Sequence, residues 1–183
     1  LKYQLQPHFF FNSLNNIYSL VDFSPEMAKQ TIHSLGKLMR YLLYETNNEK
    51  VSLQKEIIFM TNYIELMKLR LTDNTKVTYS FPDLKEDLLI APLLFISLIE
   101  NAFKHGVSAD KSTEIIFKLT VTDNNVVFYS ENFNFPKSEM DKSGSGIGLD
   151  NLEKRLALLF PGKHSFVEQI VDDKFVVSLK LEV

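Results

Sequence analysis

The chain has 183 residues, 45% of them hydrophobic, with a net charge of −3 and no cysteine. That length supports one large domain or two small ones, and that composition excludes wholesale disorder, disulfides and thiolate metal sites. The charge gives no electrostatic ground for nucleic acid as the main ligand, no apolar run approaches the roughly 20 residues that span a bilayer, and no signal peptide is visible. Without cysteines a reducing compartment is expected. The chain starts at Leu1, without Met and partway into a helical pattern, and reads as a fragment.

Residues 1–23 carry the pattern of an amphipathic helix. At about 100° per residue, Phe10, Leu14, Ile17 and Val21 fall on one side, and His8, Asn12, Asn15 and Ser19 on the other. Pro7 stands beside His8. Inside a helix it removes the hydrogen bond to the carbonyl of Tyr3, at ~3 kcal/mol, so a bend that presents His8 is expected there. Ser24 and Pro25 then read as the N-cap and first residue of a second helix reaching about Glu45. Its Ala28, Ile32, Leu35, Met39 and Leu42 form a heptad-like seam. Such a hairpin buries one face of each helix, and pairing with a second copy gives a four-helix bundle.

A polar stretch at 46–52 marks a domain boundary. Ser52 caps a third expected helix with Ile57, Met60, Ile64, Met67 and Leu71 on one face, and Lys76–Phe81 reads as a strand. Pro92 opens another expected helix, ended by Gly106. Ile115, Phe117, Leu119 and Val121 alternate, and Asp123-Asn124-Asn125 turns the chain into Val126–Tyr129. A polar loop, a helix closed by Pro161-Gly162, and strands at about 165–171 and 175–182 complete an α+β pattern with a largely antiparallel sheet.

Two segments carry chemistry. Gly144-Ser145-Gly146-Ile147-Gly148-Leu149 precedes a helix; closely spaced glycines and a helix N-terminus suit a phosphate, and equally a flexible loop ending in a tight turn. It is neither a Walker loop nor a dinucleotide fingerprint. Asn101, Lys104 and His105 share a helix face. They suit a Mg-phosphate group, or Lys and His simply complement the helix dipole. His33 and His164 read as structural or surface residues, and no zinc pattern is present.

Three blocks in order, LQPHFFFNSLNNI, LIENAFKHG and GSGIGLDNLEKRL, resemble those of the LytS/YehU-type sensor histidine kinases, and the resemblance covers essentially the whole chain. It implies a dimerisation hairpin over 1–47 and a GHKL-type ATP-binding α/β sandwich over 50–183. It also implies His8 as phosphoacceptor, Asn101 as ligand of Mg, and Lys104 and His105 flanking the phosphates of ATP. Gly144, Gly146 and Gly148, with Ile147 and Leu149, become the glycine box of the ATP lid, with Asn151 and Arg155 on the helix behind it. The implied context is a homodimer, an upstream membrane sensor that places this part on the cytoplasmic side of the inner membrane, and a response regulator, often of LytTR type.

The chain departs from such ATPases where an Asp-x-Gly-x-Gly block normally binds adenine: residues 129–135 read Tyr-Ser-Glu-Asn-Phe-Asn-Phe. Glu131 or Asn132 is the substitute acceptor, or the chain is a pseudokinase serving as a dimeric scaffold. Hydrolytic relatives place a glutamate four residues before the metal-binding asparagine; Ser97 stands there, so water attack lacks a base. Many histidine kinases have an acid directly after the histidine, where this chain has Phe9; Asn12, one turn along, is expected to orient the imidazole.

Overall fold

The computed structural model describes residues 7–84, 86–135 and 147–183. Helices α1 (Pro7–Phe23) and α2 (Pro25–Tyr44) form the expected hairpin. The chain then runs through β1 (Val51–Ser52), α3 (Leu53–Lys68), β2 (Thr75–Ser80), β3 (Leu89–Ile90), α4 (Ile96–His105), β4 (Thr113–Thr122), β5 (Asn125–Phe133), α5 (Ile147–Leu159), β6 (His164–Val171) and β7 (Lys174–Glu182). This is an α+β architecture. Five strands make a sheet in the order β2-β4-β5-β7-β6, parallel only between β2 and β4. β1 and β3 form a separate short antiparallel pair.

Period-two patterning sets the layer. Ile115, Phe117 and Leu119 of β4, Val126, Phe128, Ser130 and Asn132 of β5, and Val177, Leu179 and Leu181 of β7 are buried. Helices cover that side: Phe95, just before α4, stacks on Phe128 with ring centroids 5.1 Å apart, and Phe103 of α4 meets Phe117 at 5.8 Å. Leu149, Leu152 and Leu156 add the apolar face of α5. Each of these large side chains contributes about 1.5–3 kcal/mol by leaving water. The β6–β7 turn has Asp172 and Asp173 at φ 50° and 60°, the left-handed pair that a two-residue hairpin turn needs.

Capping follows the sequence at two of three places. The Ser52 side chain accepts from the Lys55 N–H, and the Gly106 N–H donates to the Ala102 carbonyl to close α4. Ser24 precedes Pro25 as expected, but its side chain makes no capping bond.

Three expectations are corrected. α4 begins at Ile96, not near Pro92; residues 92–95 form a turn with Leu93 at φ 59°. Side chains from elsewhere hold that turn: the Leu93 N–H donates to Glu56 at 2.7 Å, and Arg155 donates to the Pro92 carbonyl at 2.7 Å. On α1 the buried residues are Phe9, Ser13 and Ile17, whereas Leu14 and Val21 are 53% and 51% exposed. Phe9, not Phe10, is thus the most buried phenylalanine of α1. On α2 the buried line is Ala28, Thr31, Leu35, Leu38 and Tyr41, whereas Ile32 and Met39 are exposed. The reason is common to both helices: the inner line is chosen by contact with each other and with α3, and the remaining apolar residues face outward. The expected bend involves Tyr3, which lies outside the described residues.

Candidate functional site

The Asn101 helix and the strand beside it meet at one point. Gly106, at the end of α4, lies so close to β5 that a Cβ there would stand 2.6 Å from Asn132 Cβ and 2.7 Å from the Ala102 carbonyl oxygen. Only glycine permits this approach. Asn101 and His105 are half-buried on α4, and Lys104 is exposed. Asn132 is 1% exposed, and its amide nitrogen donates to the Phe133 carbonyl at 2.8 Å, leaving the amide oxygen as the acceptor this side chain can offer.

Strand parity separates the two candidate acceptors. Asn132 lies on the helix-covered side with Ser130 and Phe128, and Glu131 lies on the opposite side. There Glu131 pairs with Lys174 and accepts from Tyr129 at 2.5 Å. These hydrogen bonds hold its carboxyl below the usual range, and burial with the bond to Glu131 pushes the Tyr129 hydroxyl up to about 12. Glu131 is therefore ionised and engaged, away from the Asn101 helix.

Helix α5 brings part of the glycine segment to the described residues. Gly148 is exposed, and a Cβ there would meet no atom of the described residues within 4 Å, so no contact among them requires glycine. Leu149 is buried and anchors the start of the helix; Asn151 is exposed. Gly144 and Gly146 lie outside the described residues, as does the side chain of Ile147. Arg155 is half-buried and reaches the carbonyl oxygens of Pro92 and Leu93, at 2.7 and 3.4 Å, so it fastens α5 to the turn that leads into α4.

The hairpin meets the layer at two buried contacts that sequence reasoning missed. Tyr41 of α2 stacks on Phe59 at 4.5 Å, and its hydroxyl donates to Glu56 of α3. Glu56 is fully buried, and its Oε2 has no hydrogen-bond partner among the described residues. Burial pushes its carboxyl up to about 7, against the hydrogen bonds from Leu93 and Tyr41 and the charge of Arg155. Burial, with Glu56 alongside, also raises the Tyr41 hydroxyl. At the second contact, Phe9 stacks on Tyr63 of α3 at 4.8 Å. The available signal was position: Glu56 lies four residues before Met60 and seven before Tyr63, on the buried face of α3. His8 occupies the helical position before Phe9, though its side chain lies outside the description; Asn12 is half-buried one turn on. His33 is exposed, as expected.

Residues 1–75 match the histidine kinase family. Over 172 residues the chain is 32% identical to the sensor protein LytS of Staphylococcus saprophyticus, covering 87% of this chain and 29% of that one. It is 31% identical over 173 residues to the sensor histidine kinase/phosphatase LytS of Staphylococcus aureus (strain NCTC 8325), covering 87% of this chain and 30% of the relative. Residues 1–75 thus match the histidine kinase family, and most of the chain is similar to LytS-type sensor kinases.

The similarity in sequence and the architecture agree. The histidine kinase domain of the Erythrobacter litoralis EL346 blue-light activated kinase superposes with a TM-score of 0.57 at 12% identity, over 96% of this chain and 91% of that one. The Acinetobacter baumannii histidine kinase AdeS gives 0.53 at 12% identity, over 98% and 86%. At these identities the likeness is one of fold. The chain spans under a third of the length of the curated relatives it matches. Among the described residues no helix is long and apolar enough to cross a membrane, and no cluster of three His, Asp or Glu is placed to hold a metal by itself.

Proposed function

We propose that this chain is the catalytic core of a sensor histidine kinase that transfers the γ-phosphoryl group of Mg-ATP to His8 and then to an aspartate of a response regulator. The observation that carries this reading is the close approach of Gly106 to Asn132, which sets the Asn101 helix against a buried amide at the end of β5. Asn132, rather than Glu131, is the adenine acceptor in this reading, because it lies on the helix side and Glu131 is paired elsewhere.

Asn101 offers a carbonyl ligand to Mg, consistent with a metal held mainly by phosphate oxygens rather than a carboxylate cage. Bound there, the ion supplies charge neutralisation across the phosphates. Lys104 and His105 neutralise the same region, and Gly144, Gly146 and Gly148 let the lid backbone approach it. Asn12 orients the imidazole. Arg155 positions α5 in this reading, because both of its terminal guanidinium nitrogens donate to loop carbonyls.

In this reading residues 1–47 are the dimerisation and phosphoacceptor unit and 50–183 the ATP unit. The outward apolar residues Leu14, Val21, Ile32, Met39 and Leu43 support pairing into a four-helix bundle. The longer parent chain carries a membrane sensor upstream, with this part in the cytoplasm, and its response regulator is of LytTR type. The test is γ-labelled ATP on the parent chain: acid-labile label is expected, absent in His8→Ala. The scaffold reading rests on the missing Asp and Gly at 129–135. Calorimetry showing no Mg-ATP binding would decide for it.

A further inference from the structure

Phe9 directly follows His8 and is 5% exposed. Its ring lies at 22° to that of Tyr63, centroids 4.8 Å apart, and Phe10 meets Phe9 edge-on at 5.4 Å. Tyr63 is 3% exposed, and its hydroxyl lies 3.5 Å from Glu100 Oε1. Glu100 is the residue before Asn101. A short sequence of contacts therefore leads from the residue after the phosphoacceptor to the residue before the proposed metal ligand, all within one chain. Ser13 continues the same buried line on α1 and bonds back to the Phe9 carbonyl at 2.8 Å.

The connection restricts the alternatives. Between Tyr44 at the end of α2 and Val51 at the start of β1 only residues 45–50 intervene. Fully extended they reach about 20 Å. Tyr41 on Glu56 and Phe59 already fixes α2 on α3 just before that link. The hairpin is thus held to its own layer at two places, one beside the link and one beside His8.

We propose that Phe9 and Tyr63 dock the phosphoacceptor helix on the ATP unit of the same chain, so that His8 is phosphorylated in cis. This rests on the proposed His8 kinase activity. In the step, the lone pair of the neutral imidazole forms the N–P bond, and the bond from the γ-phosphorus to the bridging oxygen breaks. ADP leaves with that electron pair, and the proton on the other ring nitrogen passes to water. Phe9 and Tyr63 are positioning residues: they fix where the helix lies.

The test uses two differently tagged copies of the parent chain, purified as heterodimers through both tags and given γ-labelled ATP. A wild-type copy paired with a His8→Ala/Asn101→Ala copy should label on the wild-type copy. A His8→Ala copy paired with an Asn101→Ala copy should stay unlabelled. Label in the second pair, or none in the first, overturns cis transfer; labelling of His8 by a strictly monomeric chain supports it. A wild-type homodimer without acid-labile label refutes the kinase reading itself, a distinguishable outcome. As a second measurement, Phe9→Ala should lower the labelling rate about 10- to 100-fold with ATP affinity unchanged. Phe9→Tyr, which keeps the stack, should restore it; an undiminished Phe9→Ala rate counts against the docking role.

Discussion

The hairpin and the α/β layer treat their apolar residues differently. In the layer, Ile115, Phe117, Val126 and Phe128 have no exposed surface, and alternation along each strand leaves the other side to Tyr129, Glu131 and Lys174. In the hairpin, Leu14, Tyr18, Val21, Ile32, Met39 and Leu43 remain 46–82% exposed. The layer closes a core from its own residues. The hairpin closes only its inner side, by leaning on α3 through Phe9 and Tyr41, and keeps an outer side fit for a second copy.

The largest expected effect falls where the two regions join. Glu56→Ala leaves the Leu93 N–H and the Tyr41 hydroxyl without their acceptor and should cost about 3 kcal/mol in urea unfolding. The milder Glu56→Gln keeps an acceptor and removes a titrating group. The native carboxyl titrates at about 7 against 4.5 for an unperturbed glutamate. The folded state therefore holds this proton more tightly, and the stability this carboxyl contributes is full below 4.5 and is lost as pH rises to about 7. Melting temperatures of Glu56→Gln should lack that decline; an unchanged slope would assign it to other groups.

Next, within the layer alone, Gly106→Ala forces a Cβ against Asn132 and the Ala102 carbonyl and should cost about 2 kcal/mol by thermal melting. A smaller effect is expected on the outer side of the hairpin. Leu43→Lys should change chain stability by less than about 0.5 kcal/mol, while sedimentation equilibrium shifts from dimer to monomer. Retention of the dimer would place the interface elsewhere. The smallest structural effect belongs to Gly148→Ala, within about 0.5 kcal/mol of wild type because its Cβ meets none of the described residues. Its Mg-ATP affinity by calorimetry should nevertheless fall; unaltered affinity would remove Gly148 from the nucleotide site.

Much of the layer was legible because strand alternation is a local signal, and Ser52, Gly106 and the Asp172-Asp173 turn mark element ends by their own chemistry. The hairpin was legible as two helices but not in its facing. Each helix carries two apolar lines, and periodicity cannot tell which meets α3 and which is left for another molecule. Phe9 and Phe10 differ by one position, and the partner that separates them, Tyr63, lies far along the chain. The turn at 92–95 is illegible for the same reason, since Glu56 and Arg155 hold it from distant helices. Glu131 and Asn132 can each accept a hydrogen bond from an amine, and strand parity is what separates them. The glycine segment was read as a motif, and only its last part, from Gly148, falls where packing can be described.

The buried Glu56 carboxyl also makes the molecule its own instrument. A carboxylic acid sealed from water and protonated near neutrality has a carbonyl stretch displaced from the carboxylate bands of exposed acids. Because Tyr41 supplies one of its hydrogen bonds, that vibration is tied to whether the hairpin rests on the layer. Time-resolved infrared difference spectra after release of caged nucleotide, with Glu56→Gln as the blank, would report whether the hairpin stays on the layer during turnover, without an added label.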